Sequence, residues 1–358
     1  ELDPLGDAQA LAADTAPLPL KLAALADFLA SPLQAWAKHR LGLRGLDEDD
    51  PLSAADEPFA SSALDATVLL REVFFAALGA VPAGQALETA DLAQAYDAAR
   101  LRYELAGRLP TGVFLQVERA RHLSLLEAWL ANVTRHPGDD ALRGLASYSF
   151  GQAPRGVPGA VLAGPLELEV ELEGAPRLVQ LHGATQRVLP GCAGSLQLAL
   201  GGQRAVHYLR GFLDHVVLAA AGHACAHEAF QVLVSPGRLA WLEHPKNLRA
   251  FRPFAADDAR AYLRALIEDF LGGGHGYLFP VEAVQPYLWA WHEQGAQPAD
   301  SLAEAIEALC RDAFRTHSGK HGPLAQLGRY RAPARAEDLA WARFGPYVRR
   351  RCEGELSL

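Results

Sequence analysis

The sequence contains no methionine and only four cysteines, at positions 192, 225, 310 and 352. None of the four stands in a C-x-x-C pair, which excludes a zinc ribbon, and four in a chain of this length make no disulfide framework. Reduced thiols in a cytosol are the simplest expectation. A chain that starts at Glu1 and holds no methionine is expected to be a piece of a longer polypeptide. No apolar run reaches the ~20 residues that a membrane-spanning helix needs. The first residues are acidic, where a signal peptide would carry a basic segment before an apolar block. Basic charge is also short: 33 Lys and Arg face 42 Asp and Glu, a net charge of −9. A general nucleic-acid binder is usually basic, so only a local surface could face phosphates. The stretch 311–352 is that exception, with ten Lys or Arg against three Asp or Glu. Its plain reading is a helix with solvated arginines.

Signatures of catalysis are missing as well. There is no G-x-S-x-G elbow. His223, Cys225, His227 and Glu228 form HACAHE, with histidines at i and i+4. Gly222 ends the preceding helix, however, and the H-E-x-x-H order is absent, so a surface loop is expected and no metal site. LGGGHGY (271–277) follows a helix and lacks the Lys-Ser/Thr of a phosphate-binding loop, which makes it a connector. Of the six tryptophans only Trp289 and Trp291, in YLWAW after Pro286, stand apart from core-like spacing. They could stack on bases or meet a partner, or they could close the core.

What is present is an ordinary globular composition: half the residues hydrophobic and 21% charged, over 358 residues. That length suits one large domain or two modest ones. Residues 1–19 read as an acidic lead-in. Helical spacing follows at Leu22, Leu25, Phe28 and Leu29, and Ser31-Pro32 opens a second helix. DEDD and SAADEP (47–58) read as an exposed loop. Helices are expected near 62–79, 88–105 and 115–133, with the breaker AGRLPTG at 106–112. This helical part runs over 20–150, and a second part follows over 151–358. There, GPLELEVELEG (164–174) alternates leucine or valine with four glutamates, as a strand with one wet face does. VQLHGATQRVLPGCAGSLQLAL (179–200) reads as two strands about a turn at Pro190-Gly191. The segment 203–222 is the clearest helix in the chain, stopped by Gly222. Strands are expected at 229–235 and 238–244, and helices at 255–273, 299–316 and 336–352. The fold class is α+β, with α/β character and helices added at both ends of a central sheet.

The order of these elements resembles a known family. LKLAALADFLASPLQAWAKHRLGLR, DEPF, AGRLPTGVF, LHGATQRVLPG, YLRGFLDHVVLAAAG and EDLAWARFGPYV together are similar to the C-terminal region of the gamma subunit of exodeoxyribonuclease V, RecC. The resemblance covers most of residues 20–350, and its motifs are packing residues. It implies a restriction-endonuclease-like core of the PD-(D/E)xK type, set among helices. In active relatives one strand ends G-x-x-D and the next carries (D/E)-x-K. Placing Gly183 on that glycine puts Gln186 where the aspartate would stand. In SLQLAL, Leu196 or Gln197 then takes the place of the acid, and Leu198 or Ala199 that of the lysine; the degenerate set is Gln186, Gln197 and Ala199. Without those carboxylates a divalent metal lacks its oxygen ligands.

The resemblance therefore implies a domain that is not itself an enzyme and needs no cofactor or metal. It would act in recombinational repair and in degradation of double-strand DNA ends. Its expected partners are RecB-type and RecD-type subunits and DNA at a fork or end, with no membrane, in the cytoplasm. The isolated domain is expected to be monomeric. The expected DNA or partner contacts are Arg329, Arg331, Arg335, Arg349, Arg350, Arg351, Trp289 and Trp291. Two other readings compete with this one. In the first, an active metal-dependent nuclease draws relocated ligands from Glu167–Glu173 or Asp214, although the closest lysines in sequence are Lys38 and Lys246. In the second, the chain is an unrelated α+β binding protein, which a 203–222 helix lying away from the 179–200 segment would favour.

Overall fold

A computed structural model describes residues 16–42, 59–82, 84–135, 142–151, 160–201, 204–237, 247–272, 279, 281–294, 302–315 and 332–352. The elements begin with β1 (Leu18–Lys21), α1 (Leu22–Ala30), α2 (Pro32–His39), α3 (Ala63–Ala80), α4 (Thr89–Leu105) and α5 (Gly112–Arg135). Strands β2 (Ser147–Phe150), β3 (Ala160–Ala163), β4 (Leu166–Leu172), β5 (Ala175–Ala184), β6 (Arg187–Val188) and β7 (Gly194–Leu198) follow. Helix α6 (Ala205–Ala220) then leads to β8 (Phe230–Ser235) and β9 (Leu248–Phe251). The chain continues through α7 (Ala256–Leu271), α8 (Val281–Gln294), α9 (Leu302–Arg315) and α10 (Ala336–Arg349). The α+β class expected from the sequence is the class observed. No helix among the described residues is long and apolar enough to cross a membrane.

Two sheets make the framework. One has the order β1-β5-β2-β3, with β4 also paired to β5; the other has the order β6-β7-β8-β9. A bridge between Ala146 and Val188 links them. The β4 alternation is borne out, since Leu166, Leu168 and Val170 are buried and the glutamates between them are exposed. Glu173 and Gly174 make the two-residue turn into β5, both at positive φ, as a type I′ hairpin turn requires.

The 179–200 segment departs from the simple hairpin expected. Residues 179–182 pair in parallel with β1, and 183–184 pair with β2. Only the short pair β6–β7, with Arg187 opposite Leu196, closes around the Pro190 turn. The physical reason is that β5 finds its partners far away in sequence. Strand β1 itself carries Pro19, which an edge strand tolerates. The strand that pairs with β8 is β9, while the expected 238–244 strand lies outside the described residues, as do 1–15, the 47–58 loop and 273–278.

Strands β7 and β8 run parallel and are covered on both faces, so side chains on both faces of each are buried, Ser195, Gln197 and Ser235 among them. Leu196, Leu198 and Leu233 pack with Leu69, Phe74, Tyr96 and Trp129 of α3–α5. The opposite face, with Val232 and Val234, packs on α6, α1 and α7. Residues 20–39, read with the helical part of the chain, and Leu18, read with the lead-in, pack with the core of the sheet. The Trp129 indole donates to the Ala199 carbonyl at 2.8 Å and the Arg71 guanidinium to that of Leu198, clasping the end of β7. Helix α6, the crossover between β7 and β8, is buried on nearly every side and packs beside β7, not in the position away from the 179–200 segment that an unrelated fold would favour.

Gly211 lets α6 lie this close. A Cβ there would meet Val232 Cγ1 at 2.4 Å and Cγ2 at 2.8 Å, and a β-branched side chain in a central strand cannot swing away. On an exposed helix, Gly→Ala stabilises by roughly 1 kcal/mol. Gly211→Ala is expected to do the opposite, destabilising by about 1–3 kcal/mol through overpacking. Urea midpoints for the two proteins check this, and an unchanged or raised midpoint would mean that α6 is not seated as described.

Candidate functional site

A cleft of about 830 Å3 opens where β1 meets β5. One wall is Lys21 of β1 with Asp27 of α1 and Lys38 of α2; the other is Arg210, Leu213 and Asp214 of α6; His182, Gly183, Ala184 and Gln186 lie between. The register Lys21 opposite His182 brings the start of α1 against the end of β5. Gly183 has φ +130°, and a Cβ on it would stand 3.3 Å from that of Leu22, so this crossing favours glycine.

Two carboxylates reach the cleft, with pKa values shifted in opposite directions. Asp27 accepts from Lys38 Nζ at 2.7 Å and His39 Nε2 at 2.9 Å, with Arg210 3.7 Å away. Burial would raise its pKa, but the hydrogen bonds from Lys38 and His39 and the charges of Lys38 and Arg210 outweigh it and hold the group below the ordinary range. Asp214 is buried. Burial pushes its pKa up to about 7, against the pull of the Ser195 and Gln186 hydrogen bonds and the charge of Arg210. Its Oδ2 accepts from Ser195 Oγ at 2.6 Å and its Oδ1 from the Gln186 N–H at 3.2 Å. Behind the cleft, burial and the charges of Arg210, Arg204 and Arg71 depress His207 to about 4, so cations crowd the start of α6.

The degenerate positions expected from the sequence come together in part. Gln186 lines the cleft, and Gln197 donates from Nε2 to Ser195 Oγ at 3.0 Å, on the side of the sheet that holds Asp214. Ala199 is buried in the core on that side, whereas Leu196 and Leu198 point into the α3–α5 core. The donors present do not fit a divalent metal: the one carboxylate beside Gln186 has both oxygens engaged, and its neighbours are amides and a hydroxyl. Among the described residues no group of three or more His, Cys, Asp or Glu could hold a metal ion, the HACAHE turn included. Asp27, Lys21, Lys38 and Arg210 had no motif to mark them as site residues.

The C-terminal arginines are not plainly solvated. Arg350 donates to Pro253 O, binds Asp258 at 3.0 Å and lies 3.8 Å over the Phe254 ring. Arg351 lies over Trp289 at 4.3 Å and the exposed Arg349 over Trp341 at 4.8 Å. Arg335 is exposed and pairs with Asp338 at 2.7 Å. Arg329 and Arg331 lie outside the described residues. Trp289 and Trp291 are half-buried, packed on the core's edge, with Trp291 5.5 Å from Trp341.

Asp214 also yields a stability prediction. A carboxyl whose folded pKa is raised from 3.8 to about 7 stabilises the fold fully below 3.8 and loses that contribution as pH rises toward 7. Asp214→Asn keeps a carbonyl acceptor and cannot ionise. Its stability relative to the parent is expected to climb between pH 4 and pH 7 and level off above. Urea unfolding at stepped pH measures this, and a constant difference across the window would count against a neutral Asp214.

Comparison with known proteins adds one finding. A family model described as the RecC C-terminal domain matches residues 17–296, well over half of the chain. No curated protein matches it.

Proposed function

The chain belongs to the RecC C-terminal domain family, and from that premise we propose that it is a non-catalytic structural and DNA-channel domain. Family membership places it in RecBCD-type processing of DNA ends, in an assembly with other subunits and DNA. The unrelated binding protein is thereby excluded. The finer role rests mainly on one observation: the Gln186 N–H and Ser195, which Gln197 in turn contacts, bond to Asp214, and the family resemblance assigns Gln186 and Gln197 to the places of metal-binding acids. In this reading the core descends from such a nuclease and no longer cuts. RecB-type and RecD-type subunits are its partners, and the cytoplasm is its place. The ends of α8 and α10, where Trp289, Trp291 and Arg349 stay partly exposed, are the proposed contact with a partner or with DNA.

The relocated-ligand nuclease has one observation in its favour, because Asp214 does stand beside Gln186. Against it, burial raises Asp214 to about 7, and among the described residues no further acids join it in a group that could hold a metal ion. Glu167, Glu169 and Glu171 face solvent and do not line the cleft.

Incubated with Mg2+ or Mn2+, the purified chain is expected to leave linear duplex and single-stranded DNA intact. Metal-dependent cleavage that vanishes in Asp214→Asn would sink the non-catalytic reading.

A further inference from the structure

We infer that the cleft between β1–α1–α2 and α6 grips a single DNA strand by its phosphates, through Lys21, Lys38 and Arg210, with Asp27 occupying those cations when no strand is there. The inference rests on the reading that this domain meets DNA, and it names the surface and the chemistry of the contact.

The first argument is charge. In a chain of net charge −9, three separate elements direct a lysine or an arginine into one cleft. Only Asp27 and Asp214 oppose them among the residues that line it. Asp214 has its oxygens turned to Ser195 and the Gln186 N–H, and the ion pairs of Lys38 and Arg210 within the cleft are made with Asp27.

The second argument is hydrogen bonding. Asp27 Oδ2 takes both Lys38 and His39, while Arg210 stays 3.7 Å from Oδ1, beyond a good hydrogen bond. Arg210 Nε is buried and has no partner. The Nε is closed off from the cleft, but the side chain as a whole is 42% exposed, so its outer N–H groups, 3.7 Å from Asp27, are the donors open to a phosphate oxygen that enters. Lys38 is 60% exposed, so its ammonium can turn from Asp27 to an incoming phosphate without unpacking α2.

The third argument concerns which phosphate compound fits. A space of about 830 Å3 lies within the ~300–1,000 Å3 range of small-ligand pockets. It takes a few nucleotides of one strand and cannot take a duplex. His182 is the one ring in its lining, so no platform exists for stacking successive bases. The grip would fall on the backbone and be indifferent to sequence. The missing nuclease acids strengthen the case, since carboxylates with no metal between them and a phosphodiester repel it.

The test uses the whole 358-residue chain and two fluorescently labelled oligonucleotides, one of thymidines and one of mixed sequence, titrated by anisotropy at several KCl concentrations. Both should bind alike. For single strands log K falls with log salt by about 0.7 per phosphate neutralised. Lys38→Gln and Arg210→Gln should each weaken binding and flatten that slope by about 0.7, and Lys38→Arg should restore it. Asp27→Asn should tighten binding several-fold, since it removes the competing carboxylate. A purely structural ion pair predicts the opposite sign for Asp27→Asn and no change of slope. Thermal melts confirm that each variant is folded; Lys38→Gln, on an exposed side chain, decides the matter if another is not.

Oligonucleotide binding with slopes unchanged in both cation variants would overturn the cleft as the site while leaving the DNA-processing role intact. No binding by the parent chain would also overturn it. Inorganic phosphate that displaces nothing at matched ionic strength supports a strand. Phosphate that binds where the oligonucleotides do not would make this a small-anion site, and the inference fails. Metal-dependent cleavage of the oligonucleotides would instead defeat the non-catalytic reading, a separate result.

Discussion

Helix α6 can lie on β7 and β8 only because residue 211 has no side chain. That approach governs the rest of the molecule. It brings Asp214 one turn further along within reach of Ser195 and the Gln186 N–H, and it sets Arg210 at the rim facing Asp27. It also lets α6 be buried between the sheet and helices α1 and α7, so that the N-terminal helices share a core with residues two hundred positions away. A helix standing further off would open a void in that core and separate the two walls of the cleft. The contact is therefore structural and functional at once: the same van der Waals limit that packs the domain positions the groups that line its one described cleft.

How much of this was legible in the sequence depended on whether the signal was local. Helix α6 was plain because Val206, Leu209, Phe212-Leu213 and Val216-Val217 repeat within one segment, and β4 was plain because leucines and glutamates alternate within seven residues. Strand β1 was missed. It is four residues long and contains a proline, and only its edge position beside β5 makes it a strand. The 179–200 hairpin was misjudged for a related reason: its first arm pairs with β1, β2 and β4, and nothing within the segment says so.

The site divides in the same way. Gln186 could be singled out because a family pattern fixes its spacing from Gly183, whereas on the next strand the pattern left Leu196 and Gln197 as alternatives. Lys38 had been set aside as remote in sequence, yet it lines the cleft with Gln186, because α2 folds back behind β1. The C-terminal arginines show the converse error. Composition alone reads ten basic residues as a charged surface, whereas Arg350 and Arg351 cover Phe254 and Trp289 and help hold α10 to the core. A guanidinium is flat and weakly hydrated enough to lie on a ring, so a run of arginines near scattered aromatics is as much a packing signal as an electrostatic one.

In the proposed descent from a nuclease, the chemistry of the cleft is that of a metal-dependent site without its acids. With acids and a divalent ion, such a site is attractive to phosphate and reactive toward it. If only the metal were lost, the carboxylates would repel the strand. In the proposed reading, glutamines at those positions remove that repulsion, and burial, which raises Asp214 to about 7, weakens the charge of the carboxylate that stands beside them. Cations contributed by β1, α2 and α6 then set the sign of the field alone, tempered by Asp27. On this proposal, a fold descended from such a nuclease would keep hold of phosphates without cutting them, and the change would need no new architecture, because the same backbone positions would bring the strand to the cations.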